Sequence, residues 1–337
     1  MRKLDVFNHI MPLEIFEQLQ VWVPGHPIAN LFKGVPALWD LDEHRRVMDE
    51  FEDYQQILSL SNPPIETLGG PEKTPEIAEK VNDALAGLVE RHPDRFPAFI
   101  ASLPMNNPDA SVREAERAVK DLGACGVQMF TNVNDIPLSA PQFFPIFEAM
   151  ARLDLPVWVH PMRLANHPDY MTEDESEAEI WFMFGWPYET AACMTRLIFA
   201  GIYDKLPNLK IISHHMGGVI PYFAGKLELG FSQLFTGTVE HNPAQEKYGL
   251  KREPREYFKL LYGDTATNGS LPAMQCGHAF FGTERALFAT DAPFDPLGGA
   301  HLIRGTIAAL DALDVPEAER ARIYHGNAVE LLKLDVA

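Results

Sequence analysis

Eight short apolar runs separated by stretches of helical period predict an α/β protein, a (β/α)8 TIM barrel with a small flap inserted after the first strand. Two further observations support this class. The runs are near-continuously apolar, as strands buried on both faces are. Four of them also end in histidine or aspartate, at the end of the strand where barrels carry their chemistry. No break in composition divides the chain, so one domain over residues 1–337 is expected. No G-x-G-x-x-G follows the first run, so a doubly wound nucleotide-binding sheet lacks its signature.

The first strand lies in Leu4-Asp5-Val6-Phe7-Asn8-His9-Ile10-Met11-Pro12, an apolar run that carries a histidine and stops at a proline. Residues 11–42 hold Trp22, Pro24, Gly25, Pro27, Gly34, Pro36 and Trp39, and read as an irregular flap above the barrel mouth. Asp42 to Tyr54 reads as a helix with Val47, Met48 and Phe51 on one face, followed by the strand Gln56 to Ser61, stopped by Asn62-Pro63-Pro64. Thr74 to Arg91 is amphipathic, with Thr74 as N-cap and Pro75 at the first helical position. Phe96 to Leu103 is the third strand, Ser111 to Leu122 a helix ended by Gly123, and Gly126 to Phe130 the fourth strand. Pro141 to Leu153 is a helix, and Pro156 to His160 the fifth strand. A helical region from Glu177 to Ile202 leads to the sixth strand, Leu209 to His215, and Gly217 to Leu229 reads as a helix. Tyr257 to Asp264 is the seventh strand, Ala286 to Asp291 the eighth, and helices finish the chain.

At 46% hydrophobic the chain can bury a large core. A formal charge of −19 argues against nucleic acid and against an anionic membrane surface as partners. Cys125, Cys193 and Cys276 lie far apart without C-x-x-C, which fits a reducing cytoplasm rather than disulfides or structural zinc. No signal core and no apolar run of spanning length is present, so a cytoplasmic protein acting on a small molecule is expected.

Taken singly, a histidine at a strand end is more often a hydrogen-bonded structural residue than a ligand. His9, His160, His215 and Asp291 at four strand ends of one chain argue instead for a shared divalent metal, with a position left for water or substrate. Asp291, in Thr290-Asp291-Ala292-Pro293, could equally cap a turn, but as a ligand it could also move a proton. In a strand, neighbours point to opposite faces, so only one of His214 and His215 is expected to face the mouth. His215, which leads into Met216-Gly217-Gly218, is the expected catalytic residue, and His214 a packing or supporting one.

Together these residues resemble the amidohydrolase superfamily, in the branch of aminocarboxymuconate semialdehyde decarboxylase and γ-resorcylate decarboxylase. The shared text runs nearly end to end: Asp5 to Pro12, Val157-Trp158-Val159-His160-Pro161, His215-Met216-Gly217-Gly218-Val219-Ile220-Pro221, Gly263-Asp264-Thr265-Ala266, Thr290-Asp291-Ala292-Pro293-Phe294 and Gly326-Asn327-Ala328. The resemblance implies His9, His160 and Asp291 as metal ligands, and His215 and Asp291 as catalytic residues. It implies a zinc or manganese ion without organic cofactor, loss of CO2 from an aromatic or muconate-type acid, and a homodimer. Arg46 and Arg163 then match substrate-anchoring cations, Trp186 a wall of the substrate site, and His167 an additional polar residue, though surface placement or plain packing suits each of them too. The departure is Phe7, where the family has histidine or glutamate and phenylalanine cannot ligate. Water, Asn8 or His214 could fill the gap, or the metal has been lost. The rival functions are a metal-dependent hydrolase or hydratase of ring-cleavage products, and a metal-free barrel that binds an acid without turnover.

Overall fold

The computed structural model describes residues 1–25, 27–233 and 248–335. Its core strands are β1 (Lys3–Asp5), β2 (Tyr54–Leu58), β3 (Ala98–Phe99 continuing as Ala101–Ser102), β4 (Val127–Phe130), β5 (Val157–His160), β6 (Ile211–Ser213), β7 (Tyr262–Asp264) and β8 (Ala286–Leu287). Each pairs in parallel with its successor in sequence. Strand β3 joins both flanks: Ile100 N donates to Leu58 O at 2.8 Å and Ala101 N to Gly126 O at 2.9 Å. The first and last strands meet as well, with Val6 N donating to Phe288 O at 2.9 Å and Asp291 N to Phe7 O at 3.1 Å. These bonds join the strands into the expected eight-stranded barrel.

Alternation along each strand divides the core into two layers. Leu4, Val6, Ile57, Ile100, Trp158, Ile212 and Leu287 fill one cluster; Val127, Met129, Val157, Val159 and Ile211 belong to another, which includes buried helix residues. Trp158 is only 1% exposed, and it fits because residue 126 is glycine: a Cβ there would stand 2.6 Å from the indole and 2.4 Å from Pro156 O. Asn327 of the Gly-Asn-Ala motif donates to Ala286 O and Thr283 O, fastening the final helix, Asn327–Leu332, to the start of β8.

Several elements differ from the sequence expectation. Residues 11–42 are largely helical, as Leu13–Trp22, Pro27–Lys33 and Pro36–Trp39, because Pro12, Pro27 and Pro36 stand where a helix begins and its first N–H groups need no partner. This excursion does reach the mouth: Phe32 packs on Phe294, whose ring lies 5.4 Å from that of His9. The helix expected over Asp42–Tyr54 is Leu41–Met48, capped by the Asp40 carboxylate on Asp42 N and Glu43 N. Thr74 is not an N-cap; it is the first residue of helix Thr74–Arg91, and its hydroxyl donates to Asn106 Oδ1. The apolar run taken for strand β7 begins in the helix Pro254–Phe258, started by its proline, and the strand itself is only Tyr262–Asp264. No helix of the described residues is long and apolar enough to cross a membrane.

Candidate functional site

The carboxyl ends of β1, β5, β6 and β8 bring His9, His160, His214 and Asp291 together, with one potential ligand atom of each lying within 4.8 Å of the others. Asp291 is the hub. Its Oδ1 lies 3.0 Å from His9 Nε2 and 3.4 Å from His214 Nε2, and its Oδ2 lies 3.4 Å from His215 Nε2. Burial opposes its charge, yet the bonds from His214, His215 and His9 hold its carboxyl well below the usual carboxylate range. Its backbone is left-handed, with φ of 64°, a conformation that costs energy in a non-glycine residue and persists because the surroundings fix it.

Those surroundings start from Asp5. Its buried carboxylate accepts from Tyr54 Oη at 2.6 Å, Thr290 Oγ1 at 2.5 Å, Phe7 N at 3.1 Å and Thr290 N at 3.2 Å, so one side chain ties the β1 turn to the β8 turn. Burial pushes Asp5 up to about 7 against these donors. His9 N donates to Ala292 O at 2.7 Å, which fixes the two ligand-bearing turns side by side.

His160 has its Nδ1 2.7 Å from Pro161 O, which leaves Nε2 toward the cluster; burial, then the neighbouring histidines, push its pKa well below the ordinary value. The sixth strand departs from expectation. It stops at Ser213, and His215 and Met216 both take φ of 52°, so the alternation rule no longer applies and both His214 and His215 face Asp291. His214 is therefore part of the site rather than packing. Its Nδ1 lies 2.5 Å from Asp264 Oδ2, and Asp264 also accepts from His215 N and Ala266 N. Burial works against charge on His214, but Asp264 outweighs it and the pKa rises to about 9. For His215, burial and then the neighbouring His214 lower the pKa, and its Nδ1 has no protein partner.

Phe7 is fully buried in the middle of this group, its ring centroid 4.2 Å from His214, 5.0 Å from His9 and 5.9 Å from His160. Asn8 is not in the cluster; its amide donates to Asp5 O and Ile57 O. Trp186 reaches the site edge-on to His160, at 5.2 Å, with its Nε1 donating to Arg163 O. Arg163 itself pairs with Glu189 at 3.1 Å and lines a neighbouring surface cleft of about 400 Å³ with Tyr170, Phe184 and Tyr188. Arg46 is not brought to the site: it is 58% exposed and held by Glu43 and Glu50 along its own helix. His167 lies outside the cluster, paired with Asp135.

Sequence reasoning passed over Glu66, which lines a small cavity with Ser61, Ser102, Gln128 and Phe130; the last packs on His160. Glu66 Oε1 has no partner, and burial pushes its carboxyl from 4.5 up to about 8. Between those values the folded chain keeps a proton that the unfolded chain sheds, so this contribution to stability is full below pH 4.5 and is lost as pH rises toward 8. The slope is at most about 1.4 kcal/mol per pH unit. Glu66→Gln is expected to flatten that dependence, so that denaturant unfolding at pH 5 and 7 changes by about 2 kcal/mol less in the variant than in the wild type. Equal pH slopes for the two proteins would count against a protonated Glu66.

The donor set fits a divalent ion: three imidazoles and a carboxylate converge, with Nδ1 of His160 against a carbonyl, Nδ1 of His214 against a carboxylate and Nδ1 of His9 3.5 Å from the Ser59 hydroxyl. Residues 29–334 match the family described as amidohydrolase. The γ-resorcylate decarboxylase of Rhizobium sp. strain MTP-10005 is 32% identical, covering 99% of this chain and 99% of its own length. The 2-amino-3-carboxymuconate-6-semialdehyde decarboxylase of Dictyostelium discoideum is 29% identical over 88% of this chain and 77% of that one. Among solved structures, a dihydroxybenzoic acid decarboxylase from Polaromonas sp. JS666 with bound manganese and 2-nitroresorcinol superposes with a TM-score of 0.79 at 28% identity, covering 100% of this chain and 98% of that one. The chain belongs to the amidohydrolase family, in the branch that holds these decarboxylases.

Proposed function

We propose that this protein is a metal-dependent, non-oxidative decarboxylase of a hydroxylated aromatic or muconate-type carboxylic acid, working as a single domain. The observation that carries the proposal is the hub of Asp291, half-buried among His9, His214 and His215 at the barrel mouth, in a chain whose relatives are decarboxylases. A divalent ion would be held by His9, His160 and Asp291 and would supply Lewis acidity toward the substrate carboxylate. The protein's own groups handle the proton. As the bond to the carboxylate carbon breaks, its electron pair stays on the ring carbon, and one proton takes the place of CO2. Asp291 carries that proton, and His215, 3.4 Å away through Nε2, orients and restores it. Trp186, Phe130 and Phe294 pack around the histidine rings and limit access of water.

An imidazole-rich donor set favours zinc, and manganese, which the Polaromonas structure contains, is the second choice. Elemental analysis of protein purified without added metal decides between them. The reaction is tested by incubating the loaded protein with carboxyl-labelled 2,6-dihydroxybenzoate and related hydroxybenzoates, and collecting labelled CO2 with the corresponding phenol. Water incorporation without CO2 would identify the hydrolase or hydratase instead. A protein that retains no metal, and ignores chelators while binding the acid, would be the metal-free barrel. We further infer a homodimer, because Phe182, Met183, Phe184 and Tyr188 expose apolar surface side by side; light scattering at the mass of one chain would exclude it. We also infer a cytoplasmic location, supported by the three unpaired cysteines; fractionation tests it.

A further inference from the structure

Building on the metal-dependent reading above, we propose that His214 is the protein's fourth metal ligand: the ligand missing at position 7, after β1, is replaced by one in the turn that follows β6. Phe7 and His9 both lie in the segment that follows β1, and Phe7 meets the cluster with a ring that has no donor atom. Across from it, His214 offers Nε2 at 3.4 Å from Asp291 Oδ1, within the same 4.8 Å group as His9 and His160.

Its orientation is built in rather than incidental. The Nδ1–H donates to Asp264, so that an ion displacing the second ring proton would meet the Nε2 lone pair aimed at the cluster; a carboxylate behind the far nitrogen is how metal-binding histidines are commonly held. Asp264 is fixed in turn by the backbone N–H groups of His215 and Ala266. The turn that lets adjacent histidines face one point needs Met216 tucked beneath it, and two glycines make the room. A Cβ at Gly277 would stand 1.9 Å from Met216 Cγ, and one at Gly263 would stand 2.8 Å from its Sδ. Phe7 and His214 rings are in contact at 4.2 Å, so the apolar residue fills the space on the β1 side and braces the imidazole that replaces it as ligand. His215, whose Nδ1 has no partner, is left outside the ligand set.

Metal affinity, measured by competition with a chromophoric chelator on the full chain, tests this. His214→Ala is expected to weaken zinc and manganese binding at least tenfold, Asp264→Asn by about 10–100-fold, and Phe7→Glu combined with His214→Gly to recover affinity lost by His214→Gly alone. X-ray absorption of the zinc-loaded wild type, which needs no variant, is expected to show three imidazoles. Two imidazoles, or a folded His214→Ala with wild-type affinity, overturns the fourth ligand while leaving the metal site standing. A wild-type chain that binds neither ion overturns the metal reading itself.

Discussion

Asp291→Asn is expected to lower turnover by about 10³-fold, the scale of a lost acid–base group. Asparagine keeps the shape of the side chain, so Asp5 and Thr290 can still hold the turn. It cannot carry an ionisable proton, and its amide would present hydrogens to imidazole nitrogens now lying 3.0–3.4 Å from carboxylate oxygens. CO2 release from the best hydroxybenzoate substrate, normalised to bound metal, is the measurement. A variant with metal bound and turnover within tenfold of the wild type would remove Asp291 from the proton path.

His215→Gln is expected to cost about 10²–10⁴ in kcat while metal content stays near the wild-type level. The two effects separate because His215 lies outside the four-residue ligand group, yet sits 3.4 Å from Asp291 Oδ2. If metal were lost in parallel with activity, His215 would be a ligand and the assignment of roles on β6 would have to be exchanged with that of His214. The pair Asp291→Asn and His215→Gln should also be non-additive, since both act on the same proton.

The sequence carried the barrel because its strands are buried on both faces and therefore apolar throughout, a pattern as plain at Val157–His160 as at Val127–Phe130. His9, His160 and Asp291 were legible from the same cause, since strand ends are where such runs stop. His214 was not. The two-residue period that assigned it away from the mouth holds only while the strand lasts, and this strand stops one residue earlier, before two left-handed non-glycine residues. Asp264 stood in plain view at the end of β7, but its partner is 50 residues away and no local pattern announces such a pairing. Arg46 shows the opposite error: glutamates at 43 and 50 lie three and four positions from it, the spacing of an exposed ion-paired helix face, and that outweighed any anchoring role. In the flap, prolines read as breakers proved to be helix starts.

The bonds between the first and last strands have a consequence for the chain as a polymer. His9 and Asp291 are 282 positions apart, so a shared ion would pin nearly the whole chain into one loop. By the loop-closure arithmetic used for disulfides, a cross-link of that span lowers the entropy of the denatured ensemble by an amount worth about 6 kcal/mol. The ion that serves the chemistry would thereby also act as a clasp between the two ends of the polypeptide, and a chelator would loosen the molecule where it closes on itself.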